Sequence, residues 1–354
     1  MAVVTQIEDL DNCSTIHKYR RSCLKKRSLI TLLVAGLLLC GGCSAQKDLP
    51  KQTEVGYYLD TVITLTAYVE DQQVLKDALE ECGRYENLLS RTVEGSDVWR
   101  INHAEGETVE VSDDTVAILQ CAKRISDLSG GAFDATIAPV STMWDFTSGS
   151  AVLPDAEAIT RAAGLVDYTK IRIEGNRVTL PAGMMIDLGG IAKGYIADQI
   201  RTYLEKRGVK HAILSFGGNV VAIGTKPDGS QWTIGIQDID KGTGTSMLKT
   251  WSSGGSMVTS GIYERGFDLD GVRYHHLLSP ETGWPVQNKL ASVTIISESS
   301  MEGDALSTAA FVLGLEKGTE LIEGMEGIEA VFITRDREVT CTSGAKYDWI
   351  EQAK

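Results

Sequence analysis

The stretch 170–180, KIRIEGNRVTL, sets the pattern for the fold. Apolar and polar residues alternate on both sides of the Glu174-Gly175-Asn176 turn, which predicts a β-hairpin. Two strands joined by so short a turn run antiparallel. Similar short strands, separated by glycine, aspartate or asparagine, are predicted at HAILSFGGNVVAIG (211–224), WTIGIQ (232–237), MVTSG (257–261) and SVTIIS (292–297). A mainly antiparallel sheet is therefore the expected core.

Helical segments flank these strands. Apolar residues recur at helical spacing in 72–90 and in 113–129, where Ser112 is a candidate N-cap. A long helix is predicted from about 190 to 207, and two more helices lie within 301–325. Together these segments would cover at least one face of the sheet.

The balance of elements decides the fold class. Residues 57–69 are rich in β-branched and aromatic residues and predict a strand ahead of the first helix, and 328–336 predicts a last strand. Strands outnumber helices and do not alternate strictly with them, which argues against a doubly wound fold. We predict an α+β protein, a mainly antiparallel sheet core with flanking helices, in a single domain from 55 to 350.

Composition narrows the possible partners. The chain has 354 residues, of which 43% are hydrophobic, as expected for a globular protein. Its 48 acidic residues outnumber its 34 basic residues, giving a formal net charge of −14. A general affinity for the phosphate backbone of nucleic acids would be electrostatically unfavourable. We therefore expect no nucleic acid partner.

The N-terminal region reads as a targeting signal. Basic residues between 18 and 27 precede the apolar stretch SLITLLVAGLLLCGGC (28–43), which is short for a membrane span. Its end resembles a bacterial lipobox, so residues 1–43 are predicted to be a signal peptide, with Cys43 lipidated and 44–54 a polar tether. The alternatives are a plain signal peptide cut nearby and an uncleaved anchor helix. The expected location is extracytoplasmic, anchored by lipid to the bacterial membrane.

The stretch IDLGGIAKGY (186–195) is the first that suggests chemistry. Asp187 ends an apolar run, and Gly189 and Gly190 allow close approach of a ligand to the N–H groups that begin a helix. Lys193 adds a positive charge in the first turn, where only a bound anion would favour it. The segment predicts a phosphate site, and the alternative is a tight strand-to-helix turn.

A second stretch, GDALSTA (303–309), has the chemistry of a hard cation site. Asp304 and Thr308 are four residues apart on a predicted helix, so both oxygens project from one face. With a backbone carbonyl from elsewhere they would suit Mg²⁺, which prefers to be completed by water and substrate phosphates. The alternative is that Asp304 compensates the helix dipole while Thr308 bonds back to the helix.

Four further clusters contain glycine with polar or aromatic residues. In GGAFDATIAP (130–139) a loop could hold a flat ring, or Asp134 could simply cap a turn. In YHHLLSPETGWP (274–285) the adjacent His275 and His276 should point to opposite faces of a strand. The segments SFGGN (215–219) and TSGIYERGF (259–267) carry glycine with hydroxyl or amide groups at strand ends.

In order and spacing these motifs resemble the ApbE family of FAD:protein FMN transferases, over roughly residues 55 to 350. The resemblance implies an ApbE-like, T-fold-related catalytic domain. It also implies an extracytoplasmic enzyme, often a lipoprotein, that cleaves FAD with Mg²⁺, transfers FMN to a serine or threonine hydroxyl of an acceptor protein and releases AMP.

The resemblance carries roles over to individual residues. Mg²⁺ would be held by the carbonyl of Gly190 with Asp304 and Thr308. His276 and Asp304 would be catalytic, with His276 as the candidate base for the acceptor hydroxyl. The FAD contacts would be Leu59, Thr92, Ala132, Phe133, Asp134, Asp187, Lys193 and His276. Asp60, Thr92 and Ser279 depart from the residues usual in the family, which are glycine, an aromatic and aspartate.

The resemblance implies that the acceptor is a membrane-associated redox subunit bearing a short flavinylation motif. Two other functions fit the same residues: an Mg²⁺-dependent FAD pyrophosphatase, in which water replaces the acceptor, and a lipid-anchored protein that binds FAD without turnover. A nicotinamide dehydrogenase is disfavoured, because no glycine triplet of the dinucleotide-binding type follows the first predicted strand.

Overall fold

The computed structural model describes residues 49–242 and 244–350. The predicted signal peptide, Cys43 and the first part of the tether lie outside this range. In the described residues the helices are α1 Gln73–Leu89, α2 Asp97–Asn102, α3 Asp113–Leu128, α4 Ala138–Ser141, α5 Ala156–Ala163, α6 Ala192–Lys206, α7 Ser300–Leu313 and α8 Leu315–Glu323.

Sixteen strands accompany these helices in the same part of the chain. They are β1 Lys51–Tyr58, β2 Thr61–Tyr68, β3 Thr108–Glu110, β4 Arg172–Glu174, β5 Arg177–Thr179, β6 Ala212–Phe216, β7 Asn219–Ile223, β8 Trp232–Gln237, β9 Ser246–Ser252, β10 Gly255–Gly261, β11 Gly266–Leu269, β12 Val272–His275, β13 Leu290–Ser297, β14 Glu329–Thr334, β15 Val339–Cys341 and β16 Asp348–Trp349. Every pairing between these named strands is antiparallel.

An eight-stranded sheet forms the centre of the fold, in the order β1-β2-β6-β7-β10-β13-β14-β15. One of its faces packs against α1, α6, α7 and α8, and alternate strand residues there such as Ile63, Phe216 and Val293 are fully buried. α3 lies against α7. The sheet of β8, β9 and β16 covers part of the other face, through Trp232 and Leu248 among others. The predicted α+β class with a mainly antiparallel core is confirmed.

Strand register brings several strand ends to one end of this sheet. Ile63 in β2 is opposite Phe216 in β6, which is opposite Asn219 in β7, and Asn219 is opposite Val258 in β10. The start of β2, the turn between β6 and β7, and the last residues of β10 therefore lie side by side. The first residues of α6 and the middle of α7 lie over this end of the sheet, as described below.

The hairpin of 170–180 is confirmed as β4 and β5, and the predicted long helices are confirmed as α1, α3, α6, α7 and α8. The predicted strand 57–69 is instead a hairpin, with β1 beginning at Lys51 inside the stretch expected to be a tether. β1 is an edge strand whose alternate residues are exposed, so its polar composition is compatible with a sheet. The strand predicted to be last is followed by β15 and β16.

Within the described residues, none of the helices combines the length and the apolar character that crossing a bilayer would require.

Candidate active site

The site is built where α6 crosses α7. A Cβ atom on Gly194 would lie 2.1 Å from the carbonyl oxygen of Ser300, so only glycine permits this approach. The close crossing lets the backbone N–H of Gly194 donate to Oδ2 of Asp304 at 2.9 Å. Asp304 is 3% exposed, and its Oδ1 lies 3.6 Å from Nζ of Lys193. Two motifs more than a hundred residues apart thus meet through a carboxylate and a cation.

Asp187 organises the turn that leads into α6. Its Oδ1 accepts the N–H of Gly189 at 2.9 Å, and its Oδ2 accepts the hydroxyl of Ser141 at 2.8 Å. The Nε of Arg91 lies 3.3 Å from the same Oδ2. On the preceding residue, the side chain of Asn102 bonds both the N–H and the carbonyl of Ile186, at 2.7 and 2.9 Å. The turn is therefore held from three separate parts of the chain.

Thr308 lies beside this turn. A Cβ atom on Gly190 would be 3.5 Å from Oγ1 of Thr308 and 3.2 Å from the ring of Phe133. Oγ1 of Thr308 is also 3.5 Å from the hydroxyl of Ser260 at the end of β10. Gly190, Asp304 and Thr308, the three predicted metal ligands, thus lie in one region.

The three predicted ligands supply one carboxylate, one hydroxyl and one backbone carbonyl. No group of three or more histidine, cysteine, aspartate or glutamate residues that could hold a metal ion occurs in the described part of the chain. All the donors present are hard oxygens, and Mg²⁺ commonly uses only one or two carboxylates while substrate phosphates and water complete its shell. The donor set fits Mg²⁺ bound together with a phosphorylated ligand.

Asp134 is engaged in local structure. Its Oδ1 accepts the N–H and the hydroxyl of Thr136 at 2.7 and 2.6 Å, and its Oδ2 accepts the N–H of Tyr168 at 2.9 Å. Burial raises the pKa of the Asp134 carboxyl despite these hydrogen bonds. These contacts are those of a turn cap, the alternative considered above. The roles of Ala132, Phe133 and Asp134 toward FAD stay predictions, and of the three Phe133 is the one that lies next to Gly190.

The two histidines differ in surroundings, and only His275 lies within a strand, β12, while His276 follows it. His275 is fully buried and its Nε2 is 3.0 Å from the carbonyl of Val286. His276 is half-buried, and its Nδ1 lies 3.3 Å from the carbonyl oxygen of Arg265. Because a carbonyl only accepts, Nδ1 of His276 carries the proton and Nε2 is the acceptor. Burial lowers the pKa of His276 to about 3, and the charge of Arg265 acts in the same direction. His276 is therefore neutral at pH 7.

The remaining predicted contacts, Leu59 and Thr92, lie on turns at the rim. Leu59 and Asp60 join β1 to β2 with φ angles of 57° and 55°, the geometry of a type I′ turn. The N–H of Leu59 donates to Glu86 at 2.8 Å. Thr92 is exposed and its hydroxyl is 3.0 Å from that of Ser90. Its neighbour Arg91 connects this loop to Asp187.

Several site residues escape sequence reasoning. Arg91 and Ser141 contact Asp187 from irregular segments that carry no periodic signal. Glu264 and Arg265 lie within TSGIYERGF, a motif noted only for its glycine and hydroxyl groups. Burial raises the pKa of the Glu264 carboxyl to about 7, although the positive charges of Lys193 and Arg265 oppose this. A charged pair inside an otherwise apolar and glycine-rich strand end is the signal that could have found them.

Known proteins resemble this chain over most of its length. It is 36% identical over 285 residues to the FAD:protein FMN transferase of Klebsiella pneumoniae (strain 342), covering 79% of this chain and 88% of the relative. It is 32% identical over 348 residues to the FAD:protein FMN transferase of Treponema pallidum (strain Nichols), covering 92% and 95%.

Solved structures agree with the fold. The crystal structure of the ApbE protein from Thermotoga maritima superposes with a TM-score of 0.76 at 31% identity, covering 83% of this chain and 97% of that one. The apo form of the flavinyl transferase ApbE of Pseudomonas stutzeri gives a TM-score of 0.72 at 30% identity, covering 83% and 95%. A profile of the ApbE family matches residues 59–332, which span both helices of the crossing and most of the central sheet. The chain belongs to the ApbE family.

Proposed function

We propose that this protein is an FAD:protein FMN transferase that uses Mg²⁺ to move FMN from FAD to a serine or threonine hydroxyl of an acceptor protein, releasing AMP. The observation that carries the proposal is the junction of Asp304, Lys193 and the α6 N-terminus. It combines a cation, a set of hard-oxygen donors and a helix N-terminus that holds the carboxylate of Asp304 in one place. The relatives named above carry the same activity in their names.

Lys193 would bind the pyrophosphate through its ammonium group and its backbone N–H, since the N–H groups of Ala192, Gly194 and Tyr195 are bonded to Leu188, Asp304 and Ile191. Nζ of Lys193 is 3.2 Å from the carbonyl of Gly189 and 3.6 Å from Asp304, which fixes the ammonium group at the helix entrance. Preorganised donors of this kind stabilise charge that builds on phosphate oxygens during transfer.

Gly190, Asp304 and Thr308 would hold Mg²⁺ as oxygen donors. When bound, Mg²⁺ supplies neutralisation of the charge on the pyrophosphate and makes AMP a better leaving group. The protein itself holds Asp304 in place through the N–H of Gly194. It also keeps the ammonium group of Lys193 close to the Asp304 carboxylate.

His276 would accept the proton of the acceptor hydroxyl. Its tautomer is set by the carbonyl of Arg265, which leaves the lone pair of Nε2 available. Because its pKa is about 3, the ring is already in the unprotonated form at physiological pH. A pKa this far below pH 7 makes the ring a weak base, so this role requires the anionic pyrophosphate to raise the pKa of His276.

Hydrolysis of FAD is the second candidate, and the exposure of Thr92 favours it. A small, exposed side chain at that rim position gives little cover to a bound ligand, so water could compete with the acceptor hydroxyl. The two reactions differ only in the nucleophile. Binding of FAD without turnover is the third possibility.

One experiment separates the three functions. The full-length protein in detergent is incubated with FAD, Mg²⁺ and a purified protein bearing a flavinylation motif, and intact masses are recorded with an EDTA control. A metal-dependent mass gain of one FMN on the acceptor supports the transferase. FMN and AMP released without a mass gain indicate a pyrophosphatase, and intact FAD indicates a binding protein.

The proposal includes a lipid anchor on Cys43 that places the enzyme outside the cytoplasm, next to a membrane-associated redox subunit as acceptor. It rests on the order of basic, apolar and small residues up to Cys43. Metabolic labelling with a fatty-acid analogue tests the lipid anchor. The wild-type protein should incorporate the label, and Cys43→Ala should not. Labelling that persists in Cys43→Ala would contradict it.

A further inference from the structure

Arg265 is held rigidly at the backbone. It precedes Gly266, the first residue of β11, where a Cβ atom would lie 2.2 Å from the carbonyl oxygen of Tyr274. Gly266 has a φ of 157° and pairs with His275. The carbonyl of Arg265 also accepts the N–H and the Nδ1–H of His276, both at 3.3 Å. The Arg265 backbone is therefore held against the end of β12 and against His276, which follows that strand.

The guanidinium of Arg265, unlike its backbone, makes few contacts. Its Nη2 makes one long hydrogen bond, 3.5 Å, to the carbonyl of Asp60. No other hydrogen bond or ion pair of this side chain is found within residues 49–242 and 244–350, although the side chain is half-buried. A guanidinium has five N–H donors, so most of its donor capacity is unused.

Arg273 on the neighbouring strand β12 makes the contrast clear. Its Nε donates to the carbonyl of Ile262 at 3.2 Å, and its Nη1 contacts Asp268 at 3.2 Å. That arginine is used to hold the β11–β12 hairpin and its entry segment together. Within the described residues the Arg265 side chain makes no comparable pair of contacts, although its carbonyl is hydrogen-bonded to His276.

The surroundings of Arg265 indicate what would use its donors. Its guanidinium reaches the Leu59–Asp60 turn while its carbonyl holds His276, so it lies between two predicted FAD contacts. The charges of Arg265 and Lys193 both act on Glu264 and on His276, which places the two cations around one region. Two cations around one region suit a dianionic pyrophosphate better than an uncharged ring.

We propose that Arg265 is a further phosphate-binding residue of this site, whose guanidinium hydrogen-bonds the pyrophosphate of FAD together with Lys193. The inference rests on the proposed function, because it takes FAD as the ligand. Arginine suits the task since its planar fork can contact two phosphate oxygens at once. A lysine at the same position would keep the charge and lose the fork.

The test compares ligands with and without phosphate. Binding of FAD and of riboflavin, which shares the flavin ring and lacks phosphate, is measured by flavin fluorescence in EDTA for the full-length protein, Arg265→Ala and Arg265→Lys. The affinity of Arg265→Ala for FAD should fall about 10- to 100-fold, the range for a lost hydrogen bond to a charged group. Its affinity for riboflavin should be unchanged. The FAD affinity of Arg265→Lys should lie between those of the wild type and Arg265→Ala.

Arg273→Ala is the matched control, because it removes an arginine from the adjacent strand and should leave FAD affinity unchanged. An unchanged FAD affinity in Arg265→Ala would overturn the proposal, and so would an equal loss for riboflavin. If Arg265→Ala does not fold, as judged by thermal unfolding, Arg265→Lys decides by the same comparison. Absence of FAD binding and FMN transfer in the unmodified protein would instead overturn the proposed function.

Discussion

The two carboxylate oxygens of Asp304 contact two different residues of α6: Oδ2 accepts the N–H of Gly194 at 2.9 Å, and Oδ1 lies 3.6 Å from Nζ of Lys193. One side chain therefore orients the helix that is expected to bind phosphate and also carries the charge expected to bind the metal. The two functions can be separated by changing the charge of Asp304 while keeping its shape.

Asp304→Asn is expected to remove metal-dependent transfer and to keep FAD binding. The amide retains an oxygen that can accept the N–H of Gly194 but lacks the negative charge that favours Mg²⁺. Turnover should fall at least about 100-fold, as for removal of one preorganised electrostatic group in an active site. FMN transfer is followed by mass spectrometry across a range of Mg²⁺ concentrations, and FAD binding by fluorescence. Wild-type turnover in Asp304→Asn would exclude Asp304 as a ligand.

Gly194→Ala tests the helix crossing. The new Cβ would lie 2.1 Å from the carbonyl oxygen of Ser300 and 2.8 Å from Cα of Met301, so α6 and α7 must separate. We expect a loss of about 3 kcal/mol in the free energy of unfolding, at the upper end for overpacking. Gly242→Ala is the control, since a Cβ there meets nothing within 4 Å, and it should change stability by less than about 0.5 kcal/mol. Urea titrations of both variants measure the difference.

The sequence predicts the centre of the site because its chemistry is local. Asp304 and Thr308 are one turn apart on one helix, and Lys193 follows Gly190 within a single turn. That α6 and α7 bring these two local patterns together depends on Gly194, whose importance is visible only when Ser300 is placed against it. Periodicity predicts each helix and says nothing about which residue lies at their crossing.

The rim of the site is less predictable. Arg91 and Asp187 are far apart in sequence and meet through a loop between α1 and α2 that has no repeating pattern. The first six of the eight residues of β1, 51–56, are missed because an edge strand with one solvated face has a polar composition close to that of a linker. Asp134 caps a turn in a motif that also predicts a ligand contact, and its role toward FAD stays a prediction.

Arg337 is expected to be important for stability outside the site. Its guanidinium contacts both oxygens of Asp238, at 2.9 and 3.1 Å, and Asp238 is fully buried. Arg337→Met removes this cation and should cost about 2 to 3 kcal/mol, less than for a fully buried pair because the Arg337 side chain is 37% exposed. Arg161→Met, in an exposed pair with Glu157, should cost less than about 0.5 kcal/mol. Urea unfolding at pH 7 gives both values.

The Arg337–Asp238 pair also predicts that the effect of Arg337→Met on the free energy of unfolding depends on pH. Hydrogen bonds from Arg337 hold the pKa of Asp238 below its usual value. A carboxyl with a depressed folded-state pKa contributes stability that is present above its unfolded pKa, about 3.9, and is lost as the pH falls through the folded value. The difference in unfolding free energy between the wild type and Arg337→Met should therefore shrink below about pH 4. A difference that stays constant down to pH 2 would show that Asp238 does not respond to Arg337.

FAD affinity should depend on pH through Glu264 and not through His276. His276 has a pKa of about 3 and stays neutral from pH 5 to 9, whereas burial raises the pKa of Glu264 to about 7. As the pH rises through 7, Glu264 gains a negative charge beside Lys193 and Arg265 and weakens their attraction for the pyrophosphate. Affinity measured by fluorescence in EDTA should therefore fall between pH 6 and 8 in the wild type, and Glu264→Gln should remove this fall. If Glu264→Gln keeps the wild-type profile, the titrating group is another residue.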